Sequence, residues 1–116
     1  MSTHFPARDK IAIVGLGATQ YSRSGTMTAP ALAIEACQKA ILDAGLTAQD
    51  IDGIIGSSWN ASPPPTYMQA ALGIAEVTWT VSHIIPFACL VSSAMNAVAS
   101  GVCTTALVYA SLNRMP

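Results

Sequence analysis

Apolar and polar positions fall along this chain in blocks whose period changes. Lys10–Gly15 (KIAIVG) is a short unbroken apolar run closed by glycine, the pattern of a strand buried on both faces. A loop rich in Gly, Ser and Thr follows as far as Gly25, and Pro30 suits the first turn of a helix, where its missing N–H is not needed. Ala33, Ile34, Cys37, Ala40, Ile41 and Ala44 then recur at i, i+3, i+4 spacing. Glu35, Lys39 and Asp43 fall on the other side, where they can pair, and Gly45 is placed to stop the helix. Ala48–Asp52 is a polar connection, and Gly53–Ser57 (GIIGS) predicts a second strand.

The second half of the pattern is read the same way. Ser58–Pro65 is a proline-broken loop, and Thr66–Leu72 predicts a short helix capped by Thr66 and closed by Gly73. Val77–Ile85 (VTWTVSHII) is β-branched and aromatic and predicts a third strand, broken by Pro86. Ala88–Ser100 is a helix of small residues with no charge on any face, which implies burial all round. Thr104–Ala110 (TTALVYA) predicts a fourth strand. The order β-α-β-α-β-α-β defines an α/β fold: a parallel sheet with helices on both faces and right-handed crossovers, its last strand followed by nothing that closes the edge.

Charge changes this picture. Of the 11 Lys, Arg, Asp and Glu, all but Glu76 and Arg114 precede Gly53. The hydrophobic fraction is 52%, the charged fraction 9% and the mean hydropathy +0.47. Such a composition excludes intrinsic disorder, and a net charge of −1 lacks the basic footprint that nucleic acid requires. A membrane span is the weaker reading of the bare half: the apolar window Ala97–Leu112 is too short and is interrupted by Ser100, Gly101, Thr104, Thr105 and Ser111. The stronger reading is that a second domain or a partner subunit covers these elements. Cys37, Cys89 and Cys103 form neither a disulfide framework nor a zinc motif, which suits a reducing, cytoplasmic setting. Residues 1–9 read as a flexible tail without the apolar core of a signal peptide.

Gly15-Leu16-Gly17-Ala18-Thr19-Gln20 invites a dinucleotide-binding reading because it follows a predicted strand. Gln20 stands where the fingerprint needs its third glycine, and the helix starts too late to receive a pyrophosphate.

Four stretches together resemble the N-terminal portion of the thiolase superfamily: KIAIVGLGATQYSRS (Lys10–Ser24), AIEACQKAILDAGLTAQDIDGII (Ala33–Ile55), VSHIIPFACLVSSAMNAVASG (Val81–Gly101) and TTALVYASLNRM (Thr104–Met115). The likeness is to the lipid-transfer-protein or sterol-carrier type of thiolase, which includes acetyl-CoA acetyltransferase-like proteins, and to thiolase-like aldolases that cleave steroid side chains as CoA thioesters. It implies two similar halves with a central buried third helix, of which residues 10–116 would be an incomplete first half lacking its fifth strand. It also implies acyl-CoA substrates in lipid or sterol metabolism, no tightly bound cofactor, a homodimer, and room for a small accessory subunit.

In condensing thiolases a cysteine at the start of the third helix carries the acyl group, and a helix N-terminus favours its thiolate. The family spacing, counted back from Gly101, lands on Ile85, and Cys89 falls about one helical turn later. Cys89 is therefore either a shifted nucleophile or a small packing residue. In the second case the resemblance points to the aldolases, which lack the cysteine and cleave a carbon–carbon bond. His83, at a strand end beside the same helix, is the one candidate base in this stretch. Trp59 and Tyr67 are candidates for an acyl channel or an interface. No phosphate clamp is visible, because Arg8, Lys10, Arg23, Lys39 and Arg114 are scattered.

The leading reading is an acyl-CoA enzyme performing acyl transfer or retro-aldol cleavage, with this chain alone inactive. The alternatives are a non-catalytic or degenerate thiolase-like subunit and a dinucleotide-binding module. Expressed alone, the chain is expected to aggregate, because its bare half exposes more apolar surface than monomers tolerate. Size-exclusion chromatography with light scattering checks this, and a monodisperse monomer that melts cooperatively contradicts it.

Overall fold

The computed structural model describes residues 9–20, 27–58 and 62–112. Helix α1 spans Ala29–Asp43, with Thr28 as N-cap: its hydroxyl accepts from the Ala31 N–H at 3.3 Å. A single 3-10 turn, Ala48–Asp50, leads into strand β1, Gly53–Ser57. Helix α2 is Pro65–Leu72, β2 is Trp79–His83, α3 is Phe87–Ala99 and β3 is Ala106–Tyr109. All three α-helices end in one way. Gly45, Gly73 and Gly101 take positive φ, and the residue after each donates back to Ile41, Gln69 and Ala97 respectively.

The sheet has three parallel strands in the order β2-β1-β3. Alternation along β1 divides the core in two. Ile54 points into a cluster with Ala33 and Cys37 of α1, Met68 of α2, and Leu107 and Tyr109 of β3. Ile55 points to the other face, against Leu90 and Ala94 of α3. Both isoleucines are fully buried. The expected α/β architecture, with helices on both faces of a parallel sheet, is present.

Four expectations need correction. Residues 9–20, including the predicted strand Lys10–Gly15, form no helix or strand, and Ile13, Val14 and Leu16 are 69%, 60% and 75% exposed. The segment lies along α1 instead: the Leu16 N–H donates to Asp43 Oδ2 at 2.9 Å, and Lys39 Nζ donates to the Ala18 carbonyl at 3.3 Å. Those two side chains, expected to pair along α1, are thus engaged by the preceding segment. Thr66 is not a cap, because α2 starts one residue earlier with Pro65 in its first turn. Helix α3 is not buried all round. Leu90, Ala94 and Ala97 are buried, whereas Cys89, Ser92, Asn96 and Ala99 are exposed, so this chain covers only one face of it. The predicted tail falls almost wholly on residues 1–8, outside the described residues.

Asp52, just before β1, joins the incoming ends of the strands. Its carboxylate accepts from the Thr104 N–H (2.9 Å), the Thr104 hydroxyl (2.8 Å) and the Thr105 N–H (2.8 Å). Its carbonyl accepts from the Thr78 N–H at 2.8 Å, ahead of β2. Burial raises the carboxyl pKa, but the bonds from Thr105 and Thr104 outweigh it and hold the group below its usual value. The folded state therefore binds that proton more weakly than the unfolded chain does. The stabilisation is complete above the unfolded pKa and is lost as pH falls through the folded one. Asp52→Ala is expected to lower unfolding stability by about 1–3 kcal/mol at pH 7. The difference from the parent protein should shrink below about pH 4. Urea melts of both proteins at several pH values measure it.

Candidate functional site

In a parallel sheet every crossover helix begins at the carboxyl edge of the strands, where ligands of open α/β folds bind. Here α2 follows β1 and α3 follows β2, so both helix N-termini open on that edge. The first residue of α1 reaches it too, through the bond from the Ser111 hydroxyl to the Ala29 carbonyl at 2.8 Å. The edge collects Ser57 at the end of β1 and Ser58 after it, His83 at the end of β2, Ser111 after β3, and the first turns of three helices. None of these residues is formally charged.

The two sequence candidates both lie on this edge. His83 is the last residue of β2, in register with Ser57, and is exposed; its carbonyl accepts from the Ser58 N–H at 2.9 Å. Cys89 is the third residue of α3 and is also exposed. Its N–H donates to the Pro86 carbonyl at 2.8 Å. Pro86 is the N-cap and offers no side-chain acceptor, so the N–H groups of Phe87 and Ala88 have no partner of the capping kind. The arrangement thus presents an exposed thiol, an exposed imidazole and a bare helix start, flanked by Ile84 and Phe87, which are 63% and 50% exposed. Tyr67, in the first turn of α2, is also exposed. Trp59 lies outside the described residues.

The other cysteines belong to the core. Burial pushes the Cys37 thiol up to about 12. Cys103 is raised by burial and then by the Asp52 charge, and it sits 2.7 Å from where a Cβ on Gly53 would stand. Among the described residues no group of His, Cys, Asp and Glu could hold a metal ion. The glycine loop also has a steric explanation. A Cβ on Gly15 would meet the Ala40 carbonyl, and one on Gly17 the Ala36 carbonyl. Both glycines let the segment lie directly on the α1 backbone, and Asp43 occupies the Leu16 N–H that a phosphate would need.

The carboxyl-edge geometry and sheet order are those of an open parallel α/β fold, and the comparisons narrow the likeness to steroid side-chain aldolases and thiolase-like structures. Two curated relatives match. The 17-hydroxy-3-oxo-4-pregnene-20-carboxyl-CoA lyase of Mycobacterium tuberculosis is 35% identical over 105 residues, covering 88% of this chain and 27% of that protein. The steroid side-chain-cleaving aldolase of Thermomonospora curvata is 33% identical over 105 residues, with the same coverage. Among solved structures, the Ltp2-ChsH2(DUF35) aldolase superposes with a TM-score of 0.80 at 31% identity, over 89% of this chain and 28% of that one. A monomeric SCP2-thiolase-like protein of Mycobacterium smegmatis gives 0.66 at 24% identity over 87% and 23%, which is a likeness of fold. No family model matches. The chain therefore spans about a quarter of the length of the curated relatives it matches.

Sequence reasoning placed Cys89 and His83 near one helix but missed the Ser58–His83 link and the serine at the end of β3. Neither follows from spacing, since both depend on which strands become neighbours. Iodoacetamide at pH 8 is expected to alkylate this chain at Cys89 and to leave Cys37 and Cys103 unmodified while it stays folded. Peptide mass spectrometry reads the result.

Proposed function

We propose that this chain is the part of a thiolase-like enzyme that supplies α3 and the carboxyl edge for retro-aldol cleavage of a steroid-type acyl side chain held as a CoA thioester. The observation that carries this reading is the match, over 88% of the chain, to two proteins named for lyase and side-chain-cleaving aldolase activity. In such a cleavage a base removes the proton of a hydroxyl β to the thioester. The bond between the α and β carbons breaks, its electron pair passes to the thioester as an enolate, and the β carbon becomes a ketone. The enolate is then protonated at carbon. The N–H groups at the start of α3 suit the enolate oxygen, because fixed dipoles in a dry site stabilise developing negative charge.

Cys89 has no covalent part in this chemistry. It stands a turn deeper in the helix than the condensing spacing asks, and its N–H is already engaged by Pro86. His83 lines the edge, and the base comes from outside this chain. CoA is a substrate component here rather than a resident cofactor. A small accessory subunit fits, because the neighbouring structure carries the two-part name Ltp2-ChsH2(DUF35) aldolase; a homodimer and a cytoplasmic location complete the reading, three free thiols suiting a reducing compartment. Among the described residues no helix is long and apolar enough to cross a membrane.

The test uses the complete enzyme with a CoA thioester carrying a β-hydroxylated steroid side chain, its products followed by liquid chromatography and mass spectrometry. A ketone and a shortened acyl-CoA are expected, at a rate unchanged within about twofold by Cys89→Ala. Acyl exchange between CoA thioesters that disappears in Cys89→Ala would install the thiolase reading instead. Neither activity would leave a non-catalytic subunit.

A further inference from the structure

Beyond β3, segments far apart in sequence are tied by side-chain hydrogen bonds. The Ser62 hydroxyl donates to the Ser111 carbonyl at 2.7 Å and accepts from the Ser111 N–H at 2.9 Å. The Ser111 hydroxyl donates to the carbonyl of Ala29, the first residue of α1, at 2.8 Å. The Tyr109 hydroxyl donates to the Pro63 carbonyl at 2.6 Å, just ahead of α2, while its ring lies against Gly56 so closely that a Cβ there would overlap it. None of these bonds belongs to a helix or to the sheet ladder.

Burial divides the edge in two. On the α1–α2 side, Ala29, Pro63, Pro65 and Tyr109 are buried and Ser62 and Ser111 are half-buried, alongside the exposed Ser58, Pro64, Thr66 and Tyr67. On the α3 side, His83, Ile84, Phe87, Ala88 and Cys89 are all exposed. Three consecutive prolines and the buried Met68 could anchor the approach to α2 by apolar packing alone, which is non-directional. The hydroxyl bonds add direction: they fix one main-chain path, and a site that must hold a reacting group in a set geometry needs a wall with that precision.

We propose that Tyr109, Ser62 and Ser111 are positioning residues that close the α1–α2 side of the carboxyl edge, so that an acyl group arriving from the α3 side meets a wall held by this junction. The proposal rests on the function proposed above. The junction does not touch the reacting atoms; it acts through the chain path of residues 62–65 and the start of α1.

The test is steady-state kinetics of the complete enzyme on the steroid-type CoA thioester, with thermal melts in parallel. Tyr109→Phe keeps the ring over Gly56 and removes only the hydroxyl. Ser62→Ala removes both bonds to Ser111, and Ser62→Thr keeps a hydroxyl. Tyr109→Phe and Ser62→Ala are expected to raise KM about tenfold with kcat changed less than about twofold, and Ser62→Thr to restore KM. A junction that merely stabilises the fold would lower Tm and leave KM where it was, and that outcome overturns the proposal. So does a Ser62→Thr enzyme as impaired as Ser62→Ala. If Tyr109→Phe fails to fold, the two Ser62 variants decide between these outcomes. A parent enzyme that turns over no CoA thioester defeats the proposed function before any variant is compared, and the junction's role falls with it.

Discussion

The five residues of β1 are buried on every side, and the other elements are arranged around that fact. A strand paired on both edges and covered on both faces favours apolar side chains, with Ser57 at its carboxyl end the one buried polar residue among those described, and its alternation must serve two cores at once. Ile54 and Ile55 do so, one toward α1 and α2 and the other toward α3. Gly53 and Gly56 serve the sheet differently. Gly53 leaves space for the Cys103 thiol, and Gly56 leaves space for the Tyr109 ring. The Tyr109 ring can then lie against the central strand and direct its hydroxyl to the Pro63 carbonyl. The missing side chain at Gly56 thus links the middle of the sheet to the path of the chain above its carboxyl edge.

Asp52 performs the corresponding task at the other end of β1. It gathers Thr104, Thr105 and Thr78, which precede the two outer strands, so the parallel register is set by hydrogen bonds at the amino edge and by packing along the strands. The buried thiol of Cys103 tolerates the Asp52 carboxylate nearby because it stays protonated. Thiol and carboxylate are adjacent in space and chemically inert toward each other, which marks Cys103 as structural and leaves Cys89 as the accessible sulfur among the three.

What could be read from the sequence followed its local signals. The span of α1, the bounds of β1 and the glycine stops of all three helices depend on neighbours within a few residues, and each was legible. The parallel α/β arrangement was legible as well, because alternation of helix and strand limits the possible connections; of the four strands expected, three form the sheet. The candidate edge was partly legible: His83 and Cys89 share one strand–turn–helix unit. The Tyr109–Pro63 and Ser62–Ser111–Ala29 bonds were not, because they join residues 46 to 82 apart in sequence. No hydrophobic period records which strand ends become neighbours.

The failed strand and the half-open helix share a cause. Hydrophobic pattern reports that a face is kept from water; it does not report what excludes the water. In Gly53–Ser57 the covering elements lie within this chain, so pattern and burial agree. In Lys10–Gly15 the pattern is equally apolar, yet among the described residues the segment has only α1 beside it, and two glycines hold it there by main-chain contact while Ile13 and Val14 face outward. In α3 the sheet dries Leu90, Ala94 and Ala97, and the opposite face, equally bare of charge, is left open. Of the exposed large apolar residues, Ile13, Val14 and Leu16 lie on the first region and Ile84, Phe87 and Val102 at the ends of α3 or beside it, whereas Met27, Leu42, Tyr67 and Leu112 lie elsewhere. A solvent-facing helix of an independent domain would carry a charged stripe there, as α1 does with Glu35, Lys39 and Asp43. Without such a stripe, the open face of α3 has the composition of a covered surface and not of one that faces water.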